Sequence, residues 1–412
     1  PDAVSERMRR AYSNLRTGKP GPVMIEVPDH VATADIGGEL DYAPVKSVRC
    51  GPDPADVRTV AELLLKSRRP VIHAGQGVMY AGATDELVKL AELLQAPVMT
   101  TNTGKSAFPE NHPLSIGASV ISAPKTVGHF LKKADLIVGI GASFAINPWT
   151  PKLPPGKRIV HITNDPSDLH KEVSNIAAIL GDAKLVLQAL IDEIGGKKRE
   201  DDNTAAEIRA VREEWLKDWM PELTSSESPI NQYRIIHEIM KNVDLDNTIV
   251  THEAGSPREQ LVPFWEARAP RSYLGWGKST QLGHSLGLIM GAKLANPDKL
   301  CINFMGDASI GMVGMDIETA VRSKIGILTI VFNNGVMAGE QAIMKVAIEK
   351  YGASELGGNY SDVAKALGAW AKRVHSADEF LPVLRGAIEA TQSGVPALIE
   401  CVAKQNFKYS RY

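Results

Sequence analysis

The chain has few cysteines, and none of them is placed to act with another. Cys50, Cys301 and Cys401 are the three cysteines among 412 residues, and they form neither a CxxC pair nor a metal-ligand spacing. This usage is typical of a reducing compartment, in which cysteine serves as a small core residue. The sequence therefore argues against a disulfide framework and against a cysteine-based metal site.

An excess of charge of one sign is also missing. The chain has 46 Lys and Arg against 48 Asp and Glu, a net charge of −2, and no basic tract with interleaved aromatic residues. No apolar stretch reaches the length of a membrane span, and the polar N-terminal helix has no apolar segment of the kind found in secretory signals. We therefore expect a cytoplasmic protein that binds neither nucleic acid nor a membrane.

What is present is an ordinary globular composition in a repeating order. Hydrophobic residues make up 44% of the chain and charged residues 23%, and the length suffices for two or three domains. Two segments, 55–195 and 226–412, alternate apolar strands with amphipathic helices, which predicts parallel sheets covered on both faces. The predicted fold class is α/β, with two doubly wound domains preceded by one helix and one strand.

The predicted domain boundaries divide the chain into four parts. Residues 1–45 contain one helix and one strand (Val23–Val27), too little for a domain. Residues 46–195 form the central domain, 196–225 a charged linker that becomes helical, and 226–412 the last domain.

Two predicted strands end abruptly in polar residues. The apolar run Leu300–Met305 leads into GDAS, and Ile325–Phe332 leads into NNG. One crossover helix would make the strands parallel, so that Asp307 and Asn334 meet at one sheet edge. Their oxygens suit Mg²⁺ shared with a phosphate, and the small residues after Asp307 let a diphosphate approach the backbone. Each half alone is also typical of an ordinary turn, but the matched pair favours a metal and diphosphate site.

These residues carry a resemblance to a known family. The stretch GDASIGMVGMDIETAVRSKIGILTIVFNN resembles the thiamine-diphosphate motif, with Ala308 in place of its third residue, glycine. GWGKSTQLGHSLGLIMGAKLANPDK is similar to the segment that holds the cofactor bent. GQGVMYAGATDELVKLAELLQAPVMTTNTGKSAFPENHPLSIG is similar to the central domain of acetolactate-synthase-like enzymes, and TGKPGPVMIEVP to the end of their pyrimidine-binding domain. The chain thus resembles the acetolactate synthase and 2-oxo acid decarboxylase family without most of that first domain. The resemblance makes residues 1–45 the tail of the pyrimidine-binding domain, 46–195 Rossmann-like and 226–412 the diphosphate-binding domain.

The resemblance implies a set of site residues. Asp307, Asn334 and the carbonyl of Val336 would bind Mg²⁺. The thiamine diphosphate contacts would be Ala254, Gly255, Ser256, Thr280, Leu282, Gly306, Asp307, Ala308, Ser309, Asn334, Val336 and Met337. Leu282 would act in catalysis by bringing the cofactor's amino group close to its thiazolium carbon. The alternative for Leu282 is an ordinary core leucine.

Glu340 is the second predicted catalytic residue. It occupies the position at which pyruvate- and indolepyruvate-decarboxylase-like members carry a glutamate, and it could donate a proton after CO₂ leaves. The alternative is an acid that merely favours a helix start. Acetolactate synthases carry a Met-Val pair and a tryptophan in this region, whereas this chain has Gly339, Glu340 and Ile343. The expected activity is therefore decarboxylation of a 2-oxo acid followed by aldehyde release or carboligation, with an acetolactate-synthase-like transferase as the alternative.

Cofactors and partners follow from the same resemblance. Acetolactate synthases bind FAD in the central domain partly through an arginine, and Ser143 stands at that place here, so we expect no FAD. The family's ylide-forming glutamate belongs to the first domain, and no residue of this chain matches it. The resemblance therefore implies either a fragment or one subunit of a split enzyme. Because the family's active site lies between two chains, we expect a homo-oligomer, a chain that supplies the missing domain, or both. A catalytically silent cofactor-binding subunit of a split enzyme is the remaining alternative.

Overall fold

The structure is a computed structural model that describes residues 1–39, 41–146, 153–199, 203–276 and 281–411. Within these ranges the chain forms two α/β domains, each built on a six-stranded parallel sheet, with a helix between them and an N-terminal segment of two helices before them. The predicted fold class is confirmed for both doubly wound domains.

The central domain has the strand order β3-β2-β1-β4-β5-β6. Its order reverses between β1 and β4, as in a Rossmann-type sheet. Asp53 caps the first helix of this domain by accepting a hydrogen bond from the Ala55 amide at 2.7 Å. The strands are β1 (Pro70–Ala74), β2 (Val98–Thr101), β3 (Ser115–Ser119), β4 (Leu136–Ile140), β5 (Arg158–Thr163) and β6 (Ala177–Leu180); the helices, numbered after α1 (Val4–Arg16) and α2 (Asp29–Ala32), are α3 (Pro54–Lys66), α4 (Gln76–Ala81), α5 (Thr84–Leu94), α6 (Lys125–Lys133) and α7 (Ala183–Ile194).

The C-terminal domain has the strand order β11-β12-β10-β9-β7-β8. Strands β9 and β10 pair in parallel, with Leu328 opposite Ile302 and Phe332 opposite Gly306. The strands are β7 (Thr248–His252), β8 (Tyr273–Leu274), β9 (Leu300–Gly306), β10 (Leu328–Asn333), β11 (Trp370–Val374) and β12 (Ala397–Val402); the helices, numbered after the connector α8 (Thr204–Leu223), are α9 (Gln232–Asn242), α10 (Ser256–Leu261), α11 (His284–Ala295), α12 (Asp307–Val313), α13 (Ile317–Arg322), α14 (Lys345–Tyr351), α15 (Tyr360–Ala366) and α16 (Ala377–Gln392).

The crossover between β9 and β10 differs from the prediction. Two short helices, α12 and α13, separated by a 3₁₀ turn at Gly314–Asp316, stand where we expected one helix. Strand β9 also extends to Gly306, so that Asp307 is the first residue of α12. The parallel pairing that the prediction required is nevertheless present, because the crossover still returns the chain to the same sheet edge.

The helix α8 packs against both domains. Glu207 near its beginning accepts hydrogen bonds from Arg69 at 2.8 Å and from Lys133 at 2.7 Å, both in the central domain. Trp215 stacks on Phe264 of the C-terminal domain with ring centroids 4.9 Å apart, and its indole N–H donates to Ser410 Oγ at 3.0 Å. The segment that we predicted as a linker is therefore a packed structural element over most of its length.

A buried ion pair also joins the two domains. Lys105, in the loop after β2, is 1% exposed and donates to both carboxylate oxygens of Glu110. One of those oxygens accepts the Ala267 amide at 2.8 Å, and the ammonium lies 5.1 Å from the ring centroid of Tyr273. Burial lowers the pKa of Lys105, against the attraction of Glu110.

The predicted strand Val23–Val27 is wrong. These residues belong to no strand or helix in the described part of the chain, and Met24 is 89% exposed. A strand needs a neighbour for its backbone hydrogen bonds, and none of the described strands pairs with this segment. The preceding helix was predicted correctly, as α1.

Candidate active site at the edge of the C-terminal sheet

The order of the C-terminal sheet reverses between β7 and β9. Ligands of open α/β sheets bind at such a reversal, beyond the carboxyl ends of the strands. The loop after β7 contains Ala254, Gly255 and Ser256, and α12 with Asp307 follows β9. The Glu253 amide donates to the Phe304 carbonyl of β9 at 2.8 Å, which holds the two chain segments together.

Asp307 joins the ends of β9 and β10. The side chain is 2% exposed; Oδ1 accepts the Ala308 amide and Oδ2 the Gly335 amide, each at 2.8 Å. Burial raises the pKa of this carboxyl, and the backbone hydrogen bonds oppose the rise. In the described residues no cationic side chain pairs with it. A buried carboxylate without a counter-charge is unfavourable, which makes this position suited to a metal cation.

The loop after β10 carries three more of the predicted residues. Asn334 is half-buried, and its Oδ1 accepts the Val336 amide at 3.2 Å. Gly335 has φ +71°, a conformation that favours glycine, and this turns its N–H toward Asp307. Val336 is buried, and the Met337 amide donates to the Ser354 carbonyl at 2.9 Å. The structure thus brings Asp307 and the Asn334 loop together, as the sequence predicted.

The start of α12 presents the other predicted diphosphate contacts. Ser309 is 1% exposed and exchanges hydrogen bonds with the backbone of Gly306. Ala308 lies in the helix with negative φ, so a methyl group fits where the family motif has glycine. On the facing loop, Ser256 Oγ lies 2.8 Å from the hydroxyl of Tyr409.

Thr280 and Leu282 are the two predicted cofactor contacts in the segment before α11. Thr280 lies outside the described residues. Leu282 is half-buried just before α11, and it belongs to none of the buried apolar clusters of the described chain. A core leucine would belong to one of them, so this position leaves the side chain available to the sheet edge.

Glu340 opens a 3₁₀ turn, Glu340–Ala342, rather than the α-helix that we predicted there. Its side chain is half-buried and has no hydrogen-bond or ionic partner in the described part of the chain. The amide of Glu340 donates to the Met337 carbonyl at 3.3 Å, which ties the residue to the Asn334 loop.

Sequence reasoning missed Glu253. This glutamate is 0% exposed, and it accepts the amides of Gly283 at 3.0 Å and Ser285 at 2.7 Å as well as the Ser285 hydroxyl. A polar residue directly after an apolar strand was the available signal, the same signal that identified Asp307. The partners in α11 lie far along the chain, and the sequence does not indicate them.

The donor set fits Mg²⁺ better than a softer metal. One carboxylate, one amide oxygen and backbone carbonyls are hard oxygen ligands. No cluster of three or more His, Cys, Asp or Glu side chains that could hold a metal occurs in the described ranges. Asp307 and Asn334 are the side chains of this set that would hold Mg²⁺, and the magnesium site stays a prediction.

A second candidate site lies in the central domain. A cavity of about 1110 Å³ opens at the carboxyl end of its sheet, lined among others by Gly75, Gly141, Ser143 and Asp168. A methyl group on Gly75 would lie 2.2 Å from the Gly141 carbonyl oxygen, so the two turns pack in close contact. The cavity has room for a ligand, and the expected absence of FAD, based on Ser143, stays a prediction.

The part of the chain that the structure describes contains no helix able to cross a membrane.

Two family models match the chain in the two sheet domains. Residues 57–190 match the model described as thiamine pyrophosphate enzyme, central domain. Residues 253–401 match the model described as thiamine pyrophosphate enzyme, C-terminal TPP binding domain. Together the two matches span more than half of the chain.

Similar proteins include both synthases and decarboxylases. A probable acetolactate synthase large subunit of Methanococcus aeolicus is 29% identical, over 94% of this chain and 68% of that protein. A glyoxylate carboligase of Escherichia coli is 25% identical, over 98% of this chain and 71% of that protein. The crystal structure of benzoylformate decarboxylase from Polynucleobacter necessarius superposes with a TM-score of 0.79 at 22% identity, over 99% of this chain and 75% of that one.

Proposed function

The chain belongs to the family of thiamine pyrophosphate-dependent enzymes, and from this we propose that it is a Mg²⁺-dependent lyase or carboligase acting on a 2-oxo acid. The observation that supports the proposal most is Asp307, a buried carboxylate at the sheet reversal that has no counter-charge among the described residues and is joined to the Asn334 loop through Gly335. Thiamine diphosphate, when bound, supplies the carbanion chemistry that breaks the bond to a carboxylate.

The residues of the chain would have separate tasks. Asp307, Asn334 and the Val336 carbonyl would hold Mg²⁺, and the amides after Gly255 and Gly306 would face the diphosphate. Leu282 would set the shape of the bound cofactor. Glu340 would hold the proton that completes aldehyde release, because its carboxyl has no other partner in the described residues and follows the metal loop.

The choice between lyase and carboligase depends on Glu340. If Glu340 protonates the reacting carbon of the substrate quickly, a second carbonyl compound has little time to add to that carbon. Aldehyde should then be the main product. Similar proteins include a glyoxylate carboligase and a benzoylformate decarboxylase, so the test measures both the aldehyde and the carboligation product. An acetolactate-synthase-like transferase is the alternative if Glu340 proves inactive.

The test compares Glu340→Gln with Glu349→Gln, an exposed glutamate in α14, as the matched control. With thiamine diphosphate, Mg²⁺ and a panel of 2-oxo acids, Glu340→Gln should lose ~10²–10⁴-fold in turnover, the usual contribution of a positioned acid. Its residual product should shift toward carboligation, while Glu349→Gln should match wild type. An unchanged rate and product ratio in Glu340→Gln would reduce that residue to an acid at the start of a turn.

A silent subunit that needs a second chain is the second candidate. Met24 and Val27 favour a contact with another chain, because these apolar side chains are 89% and 55% exposed. Native mass spectrometry of the protein as purified from cells identifies any accompanying chain. Turnover by the chain on its own would exclude a silent subunit, and turnover only with a second chain would support a split enzyme or oligomer.

A further inference from the structure

The Glu253 side chain connects the two parts of the sheet edge that the proposed function assigns to opposite ends of the cofactor. It follows β7 and directly precedes the predicted diphosphate contacts Ala254, Gly255 and Ser256. Its carboxylate crosses to the start of α11, where Oε2 accepts the Gly283 amide at 3.0 Å and Oε1 accepts the Ser285 amide at 2.7 Å.

The carboxylate is matched to its site. The first amides of a helix have no partner within the helix, and a negative charge is favourable there. Glu253 satisfies two of these amides and the Ser285 hydroxyl at 0% exposure, so each oxygen has a defined donor. A neutral glutamine would place an N–H against one amide and lose that hydrogen bond.

Gly283 is fixed from two sides. Its φ of +87° strongly favours glycine, and a methyl group there would lie 2.4 Å from Val313 Cγ1. Val313 ends α12, the helix that begins at Asp307. The residue before Gly283 is Leu282, whose backbone is therefore held between the Glu253 carboxylate and the helix of the predicted metal ligand.

The chain upstream of this segment is also anchored to the end of β7. The Trp276 indole N–H donates to the His252 carbonyl at 3.0 Å, and the Trp276 carbonyl accepts from Asn102 Nδ2 at 2.7 Å. The backbone on each described side of Leu282 is thus attached to the β7 end, at His252 upstream and at Glu253 downstream.

We propose that Glu253 is a positioning residue for Leu282: its hydrogen bonds to Gly283 and Ser285 set the place of the Leu282 side chain relative to the diphosphate loop. The inference rests on the proposed function, in which Leu282 shapes the cofactor. A misplacement on the order of 1 Å in such a support costs about 10²-fold in rate. Binding of the diphosphate end depends on other groups and should change little.

The first test needs no cofactor. In wild type, Glu253→Gln and Glu400→Gln, amide hydrogen exchange is followed by mass spectrometry over residues 281–286. Glu400 is the matched control. It lies in β12 of the same sheet, is 0% exposed and accepts the Ser361 amide at the start of α15. Glu253→Gln should speed exchange at 283 and 285 at least tenfold, and Glu400→Gln should leave these amides as in wild type.

The second test uses thiamine diphosphate and Mg²⁺. Glu253→Gln should keep cofactor affinity within about threefold while slowing deuterium exchange at the thiazolium carbon at least tenfold, a split that simple unfolding would not produce. Ser285→Ala, which keeps both amide hydrogen bonds, should retain most of the exchange rate. Wild-type amide protection or wild-type thiazolium exchange in Glu253→Gln would overturn the inference. If the wild-type chain binds no thiamine diphosphate, the proposed function is wrong. The amide measurement needs no cofactor, so it tests the hydrogen bonds of Glu253 independently of that function.

Discussion

Replacing Asp307 with asparagine should separate the unfavourable burial of this carboxylate from its use as a metal ligand. Burial raises the pKa of Asp307 in the folded protein. The folded state then binds the proton more tightly than the unfolded chain, so metal-free stability falls as pH rises from the ordinary carboxyl range through the raised pKa. A bound cation removes this loss of stability, and asparagine at position 307 removes the buried charge that causes it.

The magnitudes follow from the two hydrogen bonds of Asp307. Asparagine loses one bond from an amide to a charged acceptor, about 1.5–3 kcal/mol, and regains part of it because no charge is buried. Wild type at ligand concentrations near 100 times Kd gains about 2.7 kcal/mol, and a variant that cannot bind gains nothing. With an unfolding entropy of about 2.1 cal/mol/K per residue, a cooperative unit of 412 residues shifts by about 1.2 °C per kcal/mol, so the difference in ligand-induced shift is roughly 3 °C.

The assay is thermal unfolding with and without Mg²⁺ and thiamine diphosphate, at one pH near 5 and one near 8. Asp316→Asn is the matched control, because Asp316 is exposed in the same crossover. The ligand-induced shift should vanish in Asp307→Asn and persist in Asp316→Asn, and the metal-free pH dependence should flatten only in Asp307→Asn. Equal ligand shifts in Asp307→Asn and wild type would refute the metal assignment.

Three further outcomes are expected. Leu282→Ala should keep cofactor affinity within about tenfold, or 1.4 kcal/mol, in calorimetry, while turnover falls further. Asn334→Ala should abolish Mg²⁺-dependent cofactor retention on gel filtration while lowering metal-free stability by only about 0.5–1.5 kcal/mol, the loss of its hydrogen bond to the Val336 amide; retention equal to wild type would contradict its role. Lys105→Met should destabilise the protein in urea by about 3–5 kcal/mol, because it leaves a buried carboxylate unpaired, and adding Glu110→Leu should recover part of that loss, since the Ala267 amide then lacks its acceptor. A double variant as unstable as the single one would show that the pair is not the cause.

The sequence predicted the two sheet domains because their signals are local. Apolar strands alternate with capped amphipathic helices such as α3, and this pattern is enough to predict parallel sheets. Asp307 and Asn334 could be placed together for a related reason. Parallel strands joined by a crossover end at the same edge of the sheet, whether the crossover contains one helix or two.

The features that sequence reasoning missed depend on contacts between distant segments. The Glu253 carboxylate satisfies amides about 30 residues further along the chain, which no short pattern predicts. The strand prediction at Val23–Val27 failed for the converse reason: a short apolar run is a local signal of a strand, but a strand also needs a neighbour to pair with. Strand β3 was overlooked because SIGAS is short and rich in small residues.

The packing of α8 has a thermodynamic consequence for the whole molecule. This helix buries Trp215 and Trp219 against the C-terminal domain, while Glu207 is bound by side chains of the central domain. Neither sheet can open fully without giving up part of these shared contacts, so the two domains should melt in a single cooperative transition. Free energy gained by a ligand at the Asp307 edge would then also protect the amides of the central sheet against exchange with solvent.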